Sequence, residues 1–454
     1  MEKNSKKMKN VNQKNASFER QNGLVAGIDI GASSIFVCIG LLNSEQKVRE
    51  FPTFTSDLLA AIAWLKEHNI TSAAMESTGV YWIPIYDMLA QADIKPVLVN
   101  AHHLKVVPGR KTDVKDCQWI QQLHSYGLLN NSFRPDDTGV KLRTYVRQRS
   151  HLVEDASRQI QLVHKTLAQM NIQLHQVLSN VAGVTGMSIV RAIIGGERNP
   201  LALAQLRDSR CQRNEAEVAK ALEGNFRAEL IFSLKQAIEA YDFYQRQIEA
   251  CDHEIKRMLD DQNEPEDDSF ENENLKEYQR KNKSAYHFDV TTNLNDLLGT
   301  NLTEIPGVDG NTAMKIIAEI GTDMSHWPTA KHFASWLGLC PGNKISGGKI
   351  LSSKTKPCAN KAAQALRLAA NATQRTKSAI GAFFRKIKIR KSAMQAITAT
   401  AHKIAVIMYN MIKNRQSFKD IGQEAYERIH KERSVKNLKR RAKEMGFELI
   451  EVAA

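Results

Sequence analysis

The sequence predicts an α/β amino-terminal domain followed by a long, mainly helical remainder, and three observations carry that reading. Short apolar runs alternate with helix-period stretches over residues 24–125. Apolar residues then step by three and four over 160–177 and again over 234–258. Past a strongly acidic stretch, a new helical pattern opens near residue 294. A chain of 454 residues, 42% of them hydrophobic, has material for two or three domains with cores of their own.

In the first region, 24–30 (LVAGIDI) and 35–42 (IFVCIGLL) are apolar runs joined by GASS, a strand pair with a tight connection. Ser56 is placed to cap a helix whose apolar positions are Leu58, Ala61, Ile62 and Leu65. Strands at 72–76 and 95–99 bracket a helix near 81–91, and a further helix starts at about 113. This order matches a ribonuclease-H-like fold, in which carboxylates meet at strand ends.

From about 141 the pattern becomes long helix. Ile160, Val163, Leu167, Met170, Leu174 and Val177 form one heptad seam. Leu234, Ala237, Tyr241, Tyr244, Ile248, Cys251, Ile255 and Met258 form a second. The two stripes can pair within one chain or between two, and pairing between two chains is the favoured reading. Residues 260–275 carry eight acids and no base, with Pro265 among them, which reads as a solvated linker. The expected segments are thus a basic leader 1–22, an α/β domain 23–140, a coiled-coil region 141–259, an acidic linker 260–290, a helical domain 291–415 and a basic tail 416–454.

The opening of the last domain, LTEIPGVDGNTAMKIIAEIG (302–321), has the form of a helix-hairpin-helix. Pro306, Gly307 and Gly310 would build its tight turn, and a helix start at Asn311 and Thr312 would offer N–H groups to a phosphate without reading sequence. An ordinary helical hairpin is the plain alternative. Basic residues gather later, at Arg385, Lys386, Lys388, Arg390 and Lys391 and at Lys439, Arg440, Arg441 and Lys443. Solvated helix faces or a mobile tail lying on phosphates both account for them.

Lys and Arg exceed Asp and Glu by 63 to 49, a formal charge of +14. An excess of that size points to a polyanionic partner, because neutralising phosphates releases counterions. Six scattered cysteines with no CxxC pair argue against a zinc site or a disulfide framework and fit a reducing compartment. The polar, basic first 22 residues read as neither signal peptide nor anchor. No apolar run approaches the roughly 20 residues that span a bilayer. The expectation is a cytoplasmic, DNA-binding chain with no membrane association.

Four acids stand where chemistry would need them. Asp29 ends the first strand in GIDIG and Glu76 ends another in AMESTG. Asp113 and Asp116, in RKTDVKD, share one face of a helix start. Taken singly, each is more readily a cap or a dipole-compensating acid. Together, on strands and one helix of such a fold, they form the hard-oxygen set that Mg2+ (or Mn2+) phosphoryl chemistry uses. Arg110 and Lys111 directly precede them and would hold a DNA backbone. A second site is LGLCPGNKISGGKI (337–350), where Ser346 precedes Gly347 and Gly348 and is flanked by Lys344 and Lys349. The glycines would admit a phosphate closely, and the lysines would neutralise its charge. A serine needs activation to act as a nucleophile, and no Ser–His–Asp arrangement accompanies this one.

These residues resemble a known family, the bridge-RNA-guided DEDD transposases of bacterial insertion sequences, relatives of the pilin-gene invertase. The resemblance rests on GIDIG, MESTGVYW, GRKTDVKDCQWIQQLHSYGLL, the IPGV hairpin and WLGLCPGNKISGGK, in order over residues 24–415. DCQWIQQLHSYGLL is similar to the branch whose elements carry subterminal inverted repeats. The resemblance implies a RuvC-like amino-terminal domain, a coiled-coil middle and a carboxy-terminal transposase domain. It implies Asp29, Glu76, Asp113 and Asp116 as a metal-binding DEDD set, and Ser346 as a nucleophile that forms a phosphoserine link to DNA. It also implies a bridge RNA that pairs with target and donor DNA, and a homodimer or homotetramer with composite sites. Many relatives carry two adjacent serines before the glycines, whereas Ile345 precedes Ser346 here. A junction-resolving nuclease that uses water, with Ser346 as a phosphate contact, is the alternative; a non-catalytic nucleic-acid scaffold is a third.

Overall fold

A computed structural model describes residues 20–40, 45–77, 79–100, 112–262 and 284–450. The basic leader, Arg110, Lys111 and most of the acidic linker lie outside the described residues. The chain divides into two compact units, Met1–Arg134 and Pro135–Ala454.

The first unit is a five-stranded sheet in the order β3-β2-β1-β4-β5. Its strands are β1 (Val25–Ile30), β2 (Ser34–Gly40), β3 (Gln46–Pro52), β4 (Ser72–Glu76) and β5 (Lys95–Val99). The first three pair antiparallel, while β1, β4 and β5 run parallel. Alternation sorts the side chains, because successive strand residues face opposite sides. Ala26, Ile28, Ala73 and Met75 bury themselves with Leu58, Ile62, Leu65, Ile85 and Leu89 of α1 (Thr55–Glu67) and α2 (Trp82–Gln91). Ala74, Val97 and Val99 face the other way, onto Ile120 of α3 (Asp113–Ser125).

The sequence reading places these elements closely but omits β3, whose polar run QKVREF lacks an apolar stripe. It also sets the first helix cap at Ser56, whereas the cap is Phe54 and no side chain accepts a capping hydrogen bond there.

The second unit is built on two 33-residue helices, α4 (Asp137–Gln169) and α9 (Ala228–Asp260). They lie antiparallel, for Arg149 meets Asp252 near one end while Asn225 donates to the Met170 carbonyl near the other. Much of both seams is buried here within one chain, with Val163, Leu167 and Met170 packed among Leu234, Ala237, Tyr241 and Ile248, while Ile160, Val177, Tyr244 and Cys251 are half-buried against them. A second chain is therefore not required to cover them. The first seam also stops earlier than its spacing suggests. The helix ends at Gln169, and Leu174 and Val177 belong to the short α5 (Leu174–Val177). That helix, with α6 (Val184–Ile194), α7 (Pro200–Ala204) and α8 (Glu215–Ala221), fills the turn between the long pair.

The carboxy-terminal helices are α10 (Val290–Leu298), α11 (Gly310–Ile320), α12 (Ala330–Trp336), α13 (Lys361–Ala372), α14 (Ala379–Arg390), α15 (Ala393–Asn414) and α16 (Gly422–Glu444). A two-stranded hairpin, β6 (Lys344–Ser346) and β7 (Lys349–Ser352), interrupts them. Two polar clusters tie this part to the long helices. Buried Glu319 accepts from Arg147 at 2.7 and 2.8 Å, and its carbonyl accepts from Arg143 at 2.6 Å. Fully buried Asp252 accepts from Arg149 and from the His287 backbone and ring, while the Arg149 guanidinium lies 3.7 Å from the Tyr286 ring centroid. Burying such charges is tolerable only because every member is paired.

Among the described residues, no helix is long and apolar enough to cross a membrane. Within the expected basic tail, a helix runs over Gly422–Glu444, as a basic helix face requires.

Candidate active site

Strand register decides where the acids fall. Ile28 pairs with Met75 in the parallel β1–β4 ladder, so Asp29 and Glu76, one step further on, stand side by side near the ends of adjacent strands. Both are half-buried. By alternation they share the sheet face of Gly27 and Ala74, which is the face that α3 covers.

α3 runs antiparallel to β4. At its carboxy-terminal end His124 Nε2 lies 2.7 Å from the Oγ of Ser72, the first residue of β4. In its middle, buried Gln121 accepts from Gln46 at 2.7 Å and donates to the Val25 carbonyl at 3.5 Å. The helix touches β1 directly. A Cβ at Gly27 would stand 2.2 Å from the Gln121 nitrogen and 2.4 Å from the Cys117 carbonyl oxygen. Its amino-terminal turn, carrying Asp113 and Asp116, therefore lies toward the strand ends that bear Asp29 and Glu76. Thr112 caps that turn by accepting from the Lys115 N–H at 3.3 Å.

Asp116 is half-buried and Asp113 exposed. Next to Asp116, the buried Cys117 thiol is pushed well above its ordinary range by its hydrogen bond with Cys38, by burial and by the charge of Asp29.

The donor chemistry fits a hard divalent cation, since all four groups are carboxylates. Among the described residues, however, no three His, Cys, Asp or Glu side chains are gathered tightly enough to hold one. The structure thus brings the four acids to one edge without closing them into a ligand sphere.

Ser346 lies in the second unit. It ends β6 at the tip of an exposed hairpin, directly opposite Lys349. Facing residues of an antiparallel pair project from one side, so the hydroxyl and the ammonium share a face. Ile345 and Ile350 form the next pair and are 63% and 62% exposed. The loop is Gly347–Gly348 with φ of 54° and 76°, the left-handed pair that a two-residue hairpin turn requires. A Cβ on either glycine would meet nothing within 4 Å, so the space before Ser346 is open.

The hairpin expected to bind phosphate has a different local logic. Gly307, at φ 88°, presses on α13, where a Cβ would fall 2.4 Å from the Ala369 carbonyl oxygen. The Thr312 N–H is already taken by the Asp309 side chain at 2.8 Å. Packing accounts for Gly307 without a phosphate.

Several residues that seat α3 on the sheet escape a motif reading: Gly27, Gln121, His124 and the Cys38–Cys117 contact. Cys117, Ile120, Gln121 and His124 do keep the i, i+3, i+4, i+7 spacing of a buried helical face. Two of those four are polar, so an apolar pattern hides them.

Comparison with known families decides the lineage. A model of DEDD transposases of the IS110 group, described as a transposase, matches residues 26–172. A second, described as transposase of the IS116/IS110/IS902 family, matches residues 299–385. The chain belongs to this transposase family. No curated protein matches it. Membership makes the chain an insertion-sequence transposase acting on DNA, and the DEDD type implies a general dependence on a divalent metal. The two matches enclose Asp29, Glu76, Asp113 and Asp116 in one case and Ser346 in the other.

Proposed function

We propose that this transposase cuts and rejoins DNA at specific sites through a covalent phosphoserine intermediate on Ser346. The observation that carries the reading is the Ser346–Lys349 pair at the tip of an open, exposed hairpin inside the matched transposase region. Attack by the Ser346 oxygen forms one O–P ester and breaks the P–O bond to the leaving deoxyribose. The serine proton passes to a base and the leaving oxygen gains one. Rejoining reverses the exchange on a new strand, so no bond energy is lost between cutting and sealing. Lys349, and Lys344 at the base of β6, neutralise charge on the attacked phosphate.

Asp29, Glu76, Asp113 and Asp116 are the residues that would hold the metal, Mg2+ by the chemistry of the donor set. When bound, it would stabilise charge on the oxygens of the phosphodiester. Arg110 and Lys111, beside that edge in sequence, would contact the DNA backbone. Guidance by a bridge RNA and assembly into a homodimer or homotetramer belong to the same proposal, and the +14 charge supports a polyanionic partner.

One observation favours the alternative, a junction-resolving nuclease using water. Among the described residues, no acid or histidine is hydrogen-bonded to Ser346 to accept its proton. Strand cleavage assays with Ser346→Ala and Asp29→Asn separate the two. Loss of cutting in both variants supports the phosphoserine route. Normal nicking by Ser346→Ala, with loss only in Asp29→Asn, supports the nuclease.

A further inference from the structure

The last helix outruns its own support. In its first half α16 rests on neighbouring helices: Arg385 of α14 donates to Gln423 at 2.8 Å, and the Lys403 ammonium of α15 lies 5.2 Å from the Tyr426 ring centroid. Half-buried positions continue through His430 and Ser434, and beyond these only Ala442 is half-buried. From Val435 the helix runs on for another ten residues, roughly 15 Å at the α-helical rise. No residue of α16 is buried.

The unsupported half is also its most charged part. Lys436, Lys439, Arg440, Arg441 and Lys443 fall within eight residues that hold no acid. At 100° per residue, Arg433, Lys436, Lys439, Arg440 and Lys443 lie within about 120° of one another, a single cationic ridge. Among the described residues its one ion pair is Arg440 with Glu444, at 3.8 Å and well exposed, which contributes little. Like charges three and four apart repel along a helix, so this ridge is destabilising by itself and gains from an anionic partner.

We propose that the second half of α16 is an accessory arm that docks duplex DNA, laying the Arg433–Lys443 ridge on the phosphate backbone without reading sequence. Charge complementarity selects the partner, since duplex DNA presents about one phosphate charge per 1.7 Å of axis and a helix of this width fits its major groove. The arm lies outside both family-matched regions, so the family assignment does not account for it. The inference rests on the reading that the chain acts on DNA.

The test is fluorescence anisotropy of the full chain on a labelled random-sequence duplex of about three helical turns, titrated across salt. The variant carries Lys436→Gln, Lys439→Gln, Arg440→Gln and Lys443→Gln, exposed changes between residues of similar helix propensity. Duplex affinity at physiological salt should fall on the order of 100-fold, and the log–log salt slope should flatten by about three to four. A charge-keeping variant, Lys436→Arg, Lys439→Arg and Lys443→Arg, should bind as the parent does. Unchanged affinity and slope in the glutamine variant overturn the arm. So does a loss confined to an RNA hairpin or to phosphatidylserine vesicles with duplex binding intact, or an equal loss in the arginine variant. A parent chain that binds no duplex at all would instead sink the underlying DNA reading, which keeps the two failures apart.

Discussion

Ser346 and Lys349 face each other across the two-residue turn of an exposed hairpin. The geometry gives the proposed nucleophile a cationic neighbour that can meet a phosphate oxygen as the Ser346 oxygen meets its phosphorus. Lys349→Gln should therefore slow formation of the serine–DNA adduct by roughly 100-fold, the scale of losing one charge-stabilising donor. Lys349→Arg should recover much of that rate, and single-turnover adduct kinetics measure both. Equal rates for all three proteins would show that the pairing is incidental.

The turn itself sets a second expectation. Gly347 and Gly348 occupy left-handed conformations that suit Asn-Gly as well as Gly-Gly. Gly347→Asn should keep activity, while Gly348→Val should strain the turn, displace Ser346 and lower activity with little change in the global melting temperature. Parallel activity and melting measurements on the two variants check this.

Gly27 is where α3 touches the sheet. Gly27→Ala drives a methyl into the α3 backbone, a contact that cannot relax by turning a side chain. Overpacking of this kind costs about 1–3 kcal/mol. Because the displaced helix carries Asp113 and Asp116, a loss of metal-dependent cutting larger than the loss of stability is expected. Urea unfolding and cleavage rates on one preparation make the comparison.

His124 makes the first unit acid-sensitive. Burial, and then the charge of Lys95, push its imidazole down from 6.5 to about 4. Below about 6.5 the unfolded chain takes up a proton that the folded chain refuses until about 4, so stability falls as pH drops through that window. A shift of this size amounts to roughly 3 kcal/mol. His124→Gln should lose its Ser72 bond at every pH yet show a flatter stability profile between about pH 7 and pH 4.5, measured by urea midpoints.

The buried Arg149–Asp252 pair gives a further check. Arg149→Met strands a fully buried carboxylate and should destabilise the second unit by about 3–5 kcal/mol. Removing the charge as well, in Arg149→Met with Asp252→Leu, should restore part of that loss. A double variant as unstable as the single one would show that the His287 and Tyr286 contacts matter more than the unpaired charge.

Much of the first unit was legible because most of its strands are short apolar runs, two of them with an acid at or next to the last residue. Val25–Ile30 and Ser72–Glu76 announce both their type and their ends. The polar strand Gln46–Pro52 was not legible, since an edge strand need not carry an apolar face. Periodicity exposed the long helices but not their partners, because a buried stripe is satisfied by either pairing; here the two stripes cover each other. The acids could be chosen by their strand ends. The side chains that aim them could not, as Gln121 and His124 are polar residues on a buried helical face and Gly27 matters through what it lacks. Ser346 was found from its neighbours in sequence, whereas its pairing with Lys349 depends on a two-residue turn whose register only the backbone fixes.

The most direct measurement is mass-spectrometric mapping of a protein–DNA adduct trapped from full-length protein, guide RNA, element DNA and Mg2+ under denaturing conditions. The account predicts a nucleotide remnant on the Ser346 peptide, absent from Ser346→Ala. Nicked DNA with no adduct, formed equally by both proteins, would contradict it and leave water as the nucleophile.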